Sequence, residues 1–318
     1  MRHVVSGTNY TMGLFQEIEE LERKTAEVSG AEVIGKINRL EYSHQLFARN
    51  HKHLVDILEG VVEKPEIRDR IFSRKFRWKS DLLFREISFR LHNFVASAKS
   101  LVDHSRRVYT KVYENKGKFE EYDKVVKQDL VENGLIQFVH KLREMCQHYQ
   151  LPRVSAELKV GEKTEMTLFI YNNELLLYDS WKSTAKEFIN SHDEKIDLLK
   201  VTKEYYDQIT SFHDWVKGEF LEMYSEELKE IESIHDEINQ KKKDLIVNEL
   251  EEVFELDKNE RLERLKFVLS GCLSGADLRD LYKIEDKPRT WIIKGLNKLQ
   301  KYFDVPQSLV TKIEKECT

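Results

Sequence analysis

An arginine and a histidine stand five positions apart in the run Leu142, Arg143, Glu144, Met145, Cys146, Gln147, His148, which Tyr149, Gln150, Leu151 and Pro152 follow. A guanidinium stabilises negative charge building on a phosphate, and an imidazole moves protons near neutral pH. Together the two groups suit metal-free cleavage of a phosphodiester. Five residues along an ideal helix rotate the chain by about 140°, so a long arginine or a distorted last turn has to bring the pair together. The plainer alternative is a surface arginine and a histidine that favours the negative end of a helix dipole.

This run resembles the Arg-x4-6-His motif of HEPN domains, helical bundles found in many prokaryotic ribonuclease toxins and defence proteins. Its tail also resembles a group of uncharacterised bacterial proteins carrying Leu-Arg-Asn-x-x-x-His-x-x-Leu-Pro. The resemblance implies metal-independent RNA cleavage in a composite cleft formed when two bundles dimerise, with Arg143 on the phosphate and His148 as acid and base. It implies no cofactor, and partners in the form of RNA, a second copy or higher oligomer, and an antitoxin or defence partner protein. Glu144 departs from the pattern, since many members have a small polar residue there and a carboxylate competes for the guanidinium. HEPN bundles place polar residues on an earlier helix beside the motif, and His92 and Asn93 are the candidates here.

Asn93, Ser97, Ser100 and His104 fall at helical offsets of four, seven and eleven, hence on one face, and form either a supporting surface or a wetted helix flank. Glu41 with His44 and Glu232 with His235 have the Glu-x-x-His spacing of di-iron bundles, but the further inward glutamates of such a site are not evident, so no metal is expected. His213 beside Asp214 reads as part of an amphipathic helix rather than a catalytic dyad. Gly-rich phosphate loops, nucleophile elbows and zinc-protease motifs are missing from the sequence.

A formal net charge of −5 argues against a protein that coats nucleic acid over its whole surface. Charge is nonetheless uneven. Bases exceed acids between Glu66 and Lys127, through Arg74, Lys75, Arg77, Lys79, Arg106 and Arg107, and acids exceed bases from Glu219 to Glu260. The basic stretch is either a solvated helix face or a local phosphate-binding surface. Cys146, Cys272 and Cys317 lack the spacing of a disulfide framework or zinc site, which suits reduced thiols. With no secretory signal or membrane-length apolar run, a cytoplasmic protein with no membrane partner is expected.

The elements that must position these residues are mainly helical. Only 12 Gly and 4 Pro are available for turns. Apolar residues recur every three or four positions over Thr11 to Val28, Ala31 to Gly60 (through Leu40, Leu46 and Leu54), Ser80 to Tyr113, and Asp129 to Tyr149, which predicts an antiparallel bundle. Val154 to Val160 alternates with period two, and Thr164 to Tyr171 pairs back, so a β-hairpin is expected, extended to a three-stranded meander if Leu175 to Tyr178 is also a strand. Helical periodicity then runs from Ile196 to Ile238 as one long helix or two, in the C-terminal half. The expected domains are a bundle over 1–152, a β insertion over 153–179 and a helical region over 180–318, the last either separate or packed as one domain with the first. Two non-enzymatic functions fit the same elements: a scaffold for oligomerisation, or a silent nucleotide- or nucleic-acid-binding regulator.

Overall fold

A computed structural model describes residues 4–117, 121–161 and 164–316. In chain order the helices before the sheet are α1 (Val4–Glu27), α2 (Ser29–Glu63), α3 (Pro65–Phe72), α4 (Arg77–Lys116), α5 (Tyr122–Val125) and α6 (Gly134–His148). Strands β1 (Ser155–Lys159) and β2 (Glu165–Tyr171) follow, then α7 (Asn172–Leu175), α8 (Ser183–Asn190) and β3 (Lys195–Asp197). The rest is α9 (Leu198–Met223), α10 (Ser225–Glu252), α11 (Lys258–Cys272), α12 (Gly275–Tyr282), α13 (Pro288–Leu299) and α14 (Gln307–Glu316). The fold is mainly α with a small sheet.

The chain forms two compact units: Val33–Ser225, and Met1–Glu32 joined with Glu226–Thr318. The boundaries expected at 152 and 179 fall inside the first unit, because the sheet packs its buried face into the same core as the helices. In that unit α2, α4, α6 and α9 form an antiparallel bundle. Ser43 and Phe47 of α2 meet His104 and Phe94 of α4, so these helices run in opposite directions. Ser88 of α4 reaches Pro152, just past the end of α6, while Asn133 and His140 at its start and middle meet Gln208 and Tyr205 of α9. Phe47, Phe94, Phe138, Leu142, Met145 and Tyr205 fill the centre. Tyr205 and Phe212 of α9 are therefore core.

Local sequence explains the element ends. A π-helical turn, Val126–Val131, interrupts the helix expected from Asp129, and α6 begins afresh where the Asn133 side chain accepts a hydrogen bond from the Ile136 N–H at 3.2 Å. Gly117 follows α4 with φ of +86°, a conformation that L side chains resist. The third strand is not Leu175 to Tyr178. That run ends α7 and continues as a turn, with Leu175 buried and Leu177 exposed, held by the Trp181 indole donating to the Leu175 carbonyl at 2.7 Å, and β3 pairs with β2 instead through Ile196 opposite Ile170. The sheet order is β1-β2-β3, antiparallel throughout. Asp197 then caps α9 by accepting from the Lys200 N–H at 3.0 Å.

The periodic stretch from Ile196 to Ile238 is two helices, since Tyr224 leaves helical geometry between α9 and α10. In the second unit Ile18 and Leu21 of α1 pack on Ile234 and Ile238 of α10, flanked by ion pairs of Lys241 with Glu17 at 2.6 Å and Lys242 with Glu22 at 2.8 Å. Helices α11 to α14 enclose a separate core around Leu250, Leu269, Trp291 and Leu296.

Candidate functional site

The residues expected to share one site are divided between two places. Helix α6 stays regular through His148, so Arg143 and His148 point about 140° apart around its axis. Arg143 is half-buried, with its Nε buried and without a hydrogen-bond partner, whereas His148 is exposed at the helix end. One copy of the helix therefore does not bring the two groups together. Glu144 does not hold the guanidinium, because it accepts from the Lys141 ammonium at 2.5 Å.

Helices α4 and α6 run antiparallel, which sets 92–97 beside 143–148. His92 is half-buried there with an unpaired Nδ1, and Asn93 is exposed. Ser97 is buried and closes on its own helix by donating to the Phe94 carbonyl at 2.9 Å, so it supports packing rather than a ligand.

His104 lies elsewhere. From Ser97 it is seven residues, about 10 Å, further along α4, and it belongs to a groove of about 970 Å³ between α2 and α4. The Ser43 hydroxyl lies 2.9 Å from the Arg39 carbonyl and 2.6 Å from His104 Nδ1. A carbonyl only accepts, so the single hydroxyl proton goes to Arg39. Nδ1 must then donate, which in the neutral ring leaves Nε2 as the acceptor.

Around this fixed imidazole the groove gathers Arg39, Arg106, Arg107 and Lys111, with no acidic residue among its lining residues. None of the four cations has a hydrogen bond or ion pair from its side chain to another described residue. Tyr42, 71 % exposed, lies in the same groove. The arrangement joins adjacent cations, an aromatic face and an oriented acceptor, the parts that hold a sugar-phosphate chain.

No protein-family model, curated protein or solved structure matches the chain.

Sequence reasoning found His104, Arg106 and Arg107 but missed Arg39, Tyr42, Ser43 and Lys111. Ser43 is 61 positions from His104, and only the antiparallel pairing of α2 with α4 joins them. A usable signal was the pairing of Arg39 with Tyr42 one helical turn apart on α2.

A second polar group lies between α2 and α9. Glu41, His44, His213 and Lys217 meet there, from two motifs that looked unrelated in sequence. The imidazoles of His44 and His213 stack at 4.2 Å, and Lys217 donates to Glu41 at 2.7 Å. His213 is 1 % exposed, and neither ring nitrogen has a hydrogen-bond partner. Among the described residues no group of three or more His, Cys, Asp or Glu is arranged to hold a metal ion. The cluster ties α2 to α9 through one stacked imidazole pair and one ion pair, with His213 its buried member.

Proposed function

We propose that the Val33–Ser225 unit binds single-stranded RNA in the groove between α2 and α4. The observation that carries this reading is the set of four unpaired cations around Tyr42 and the Ser43–His104 pair. Guanidinium and ammonium groups meet phosphates, and an exposed ring stacks on an unpaired base, which a duplex withholds. The Nε2 acceptor of His104 suits a donor hydroxyl, and a ribose 2′-OH supplies one that DNA lacks.

The test is anisotropy titration of a labelled RNA oligonucleotide at several salt concentrations. Replacing Arg39, Arg106 and Arg107 by Gln removes three phosphate contacts, so the slope of log affinity against log salt should flatten by about 2, at roughly 0.7 per contact for a single strand. His104→Ala should narrow the preference for RNA over DNA of the same sequence. Wild-type protein that fails to saturate, or a triple variant with unchanged affinity and slope, defeats the proposal.

A second reading has one observation in its favour. Arg143 Nε and His92 Nδ1 are both buried and unpaired on neighbouring stretches of α6 and α4, as if a ligand completes them. With Arg143 and His148 divergent on one helix, cleavage of RNA would take the histidine from a second copy. Incubation with mixed RNA in EDTA should then give cleavage that Arg143→Ala lowers by at least a hundredfold, with helicity unchanged. Cleavage of equal rate in that variant removes the reading.

A further inference from the structure

The other end of α4 carries a surface that the RNA groove does not use. From Arg106 to Trp78 is 28 residues of helix, about 42 Å. Between Arg70 and Ser80 the chain reads Arg70, Ile71, Phe72, Ser73, Arg74, Lys75, Phe76, Arg77, Trp78, Lys79, Ser80, five cations without one acid. The side chains of Arg74, Lys75, Arg77 and Lys79 form no hydrogen bond or ion pair with a described residue. Lys79 Nζ instead stands 5.3 Å from the ring centroids of both Phe76 and Trp78.

Large apolar side chains are exposed beside these cations. Trp78, Leu82 and Phe89 each leave more than half of their surface in water. At about 100° per residue Leu82, Arg85 and Phe89 lie within about 40° of Trp78 around α4, so they make one stripe about 16 Å long. Ile87, which is fully buried, falls on the opposite side of the same helix. The helix is thus apolar on two faces, and only one of them meets the bundle.

Next to the stripe is a cleft of about 540 Å³ whose lining includes Arg77, Arg85 and Arg153, with Asp81 its one carboxylate. None of these guanidiniums has a hydrogen bond or ion pair to a described residue.

We propose that this face docks on an anionic lipid surface. Trp78, Leu82 and Phe89 enter the boundary between headgroups and acyl chains, the cations of 70–79 sit at headgroup level, and the cleft takes an anionic headgroup. The combination selects this occupant by charge complementarity and by chemistry: an indole with aliphatic and aromatic neighbours suits the membrane interface, and clustered Lys and Arg suit acidic lipids. An RNA partner would use the cations and aromatic faces but gain nothing from Leu82. No described helix is long and apolar enough to cross a membrane, and lying on a surface requires no such helix.

Flotation of the full chain with vesicles tests this. Vesicles of phosphatidylcholine with about a third phosphatidylserine should carry the protein, and vesicles of phosphatidylcholine alone should carry at least tenfold less. Replacing Arg74, Lys75, Arg77 and Lys79 by Gln should weaken binding several hundredfold, at about fivefold per cation. Trp78→Ser with Leu82→Ser should abolish retention at high salt, where attraction between charges is screened. All six positions except Arg77's cleft-facing side lie on open surface, and unchanged circular dichroism confirms folding. Failure to float with anionic vesicles overturns the proposal, as does vesicle binding that the charge variant keeps. RNA affinity lost in the four-cation variant without loss of vesicle binding assigns the face to nucleic acid, and a dimer that dissociates in the Trp78 variant assigns it to a second copy.

Discussion

Moving from pH 7 to pH 5 should destabilise the Val33–Ser225 unit by about 4 kcal/mol, through three histidines that the bundle holds neutral. Burial pushes His213 down to about 4, with the stacked His44 adding to the effect. Burial likewise lowers His51 to about 4, and lowers His140 to about 3 with help from Lys99 and Arg106. In the unfolded chain each returns to the ordinary value near 6.5, so between that pH and about 4 the unfolded state binds more protons. Stability is present in full above pH 6.5 and is lost as pH falls through the window. A complete shift is worth roughly 2 kcal/mol per histidine by pH 5, and the partial exposure of His51 and His140 reduces their share.

Carboxylates do not confuse this window. Glu41 is held below its ordinary value by the hydrogen bond from Lys217, and Asp277 in the other unit by Lys298, Ser274 and Tyr302. A depressed carboxylate withdraws its stabilisation only as pH falls below about 4.5. Urea unfolding at pH 7 and pH 5 measures the histidine effect. His213→Leu should remove about 2 kcal/mol of the difference and lose little at pH 7, because no hydrogen bond is broken at that site. A midpoint that does not move between the two pH values, or a His213→Leu protein as acid-sensitive as wild type, would show that these rings are charged or solvated in the fold.

How far the sequence discloses the fold depends on the kind of signal. Regular apolar spacing is strong for α4 and α6, where Ile87, Leu91, Phe94, Ala98, Leu101, Leu135, Phe138 and Leu142 are all buried as the pattern requires. It also shows β1 and β2, whose alternation survives in the pairing of Leu158 with Met166 and Ala156 with Leu168. What it cannot show is partnership between distant segments. Periodicity along α1 is sound, yet its partner is α10, more than 200 residues later, as the Glu17–Lys241 pair records. The same limit hides the groove: Arg39 and Arg107 are both readable as basic, but their common site exists only because α2 folds back along α4. The third strand was missed for another reason. Lys195–Asp197 is three residues long, too short for alternation to register, while the apolar run Leu175 to Tyr178 imitates a strand and packs as a turn.

Helix α2 offers the sharpest contrast between neighbouring residues. Its expected stripe included Leu46, but Leu46 is 46 % exposed and Phe47 is completely buried. Leu40, Phe47, Leu54, Leu58 and Val61 form the buried line, with spacings of seven, seven, four and three, and Leu46 lies about 100° away from Phe47. Phe47 stacks on Phe94 at 5.5 Å and meets Tyr205 edge-on at 6.1 Å and Tyr206 at 5.4 Å, so one ring touches the partners of α2 on both α4 and α9. Phe47→Ala removes that ring and leaves a cavity that three aromatic neighbours cannot fill without giving up their own contacts. It should lower the unfolding free energy by about 4 kcal/mol. Leu46→Ala, one residue away, should change it by no more than about 0.5 kcal/mol. Urea denaturation of both variants decides the matter: comparable losses would mean that α2 is rotated about its axis. That rotation would also turn Arg39 and Tyr42 away from His104, so the same measurement checks the helix face on which the RNA groove depends.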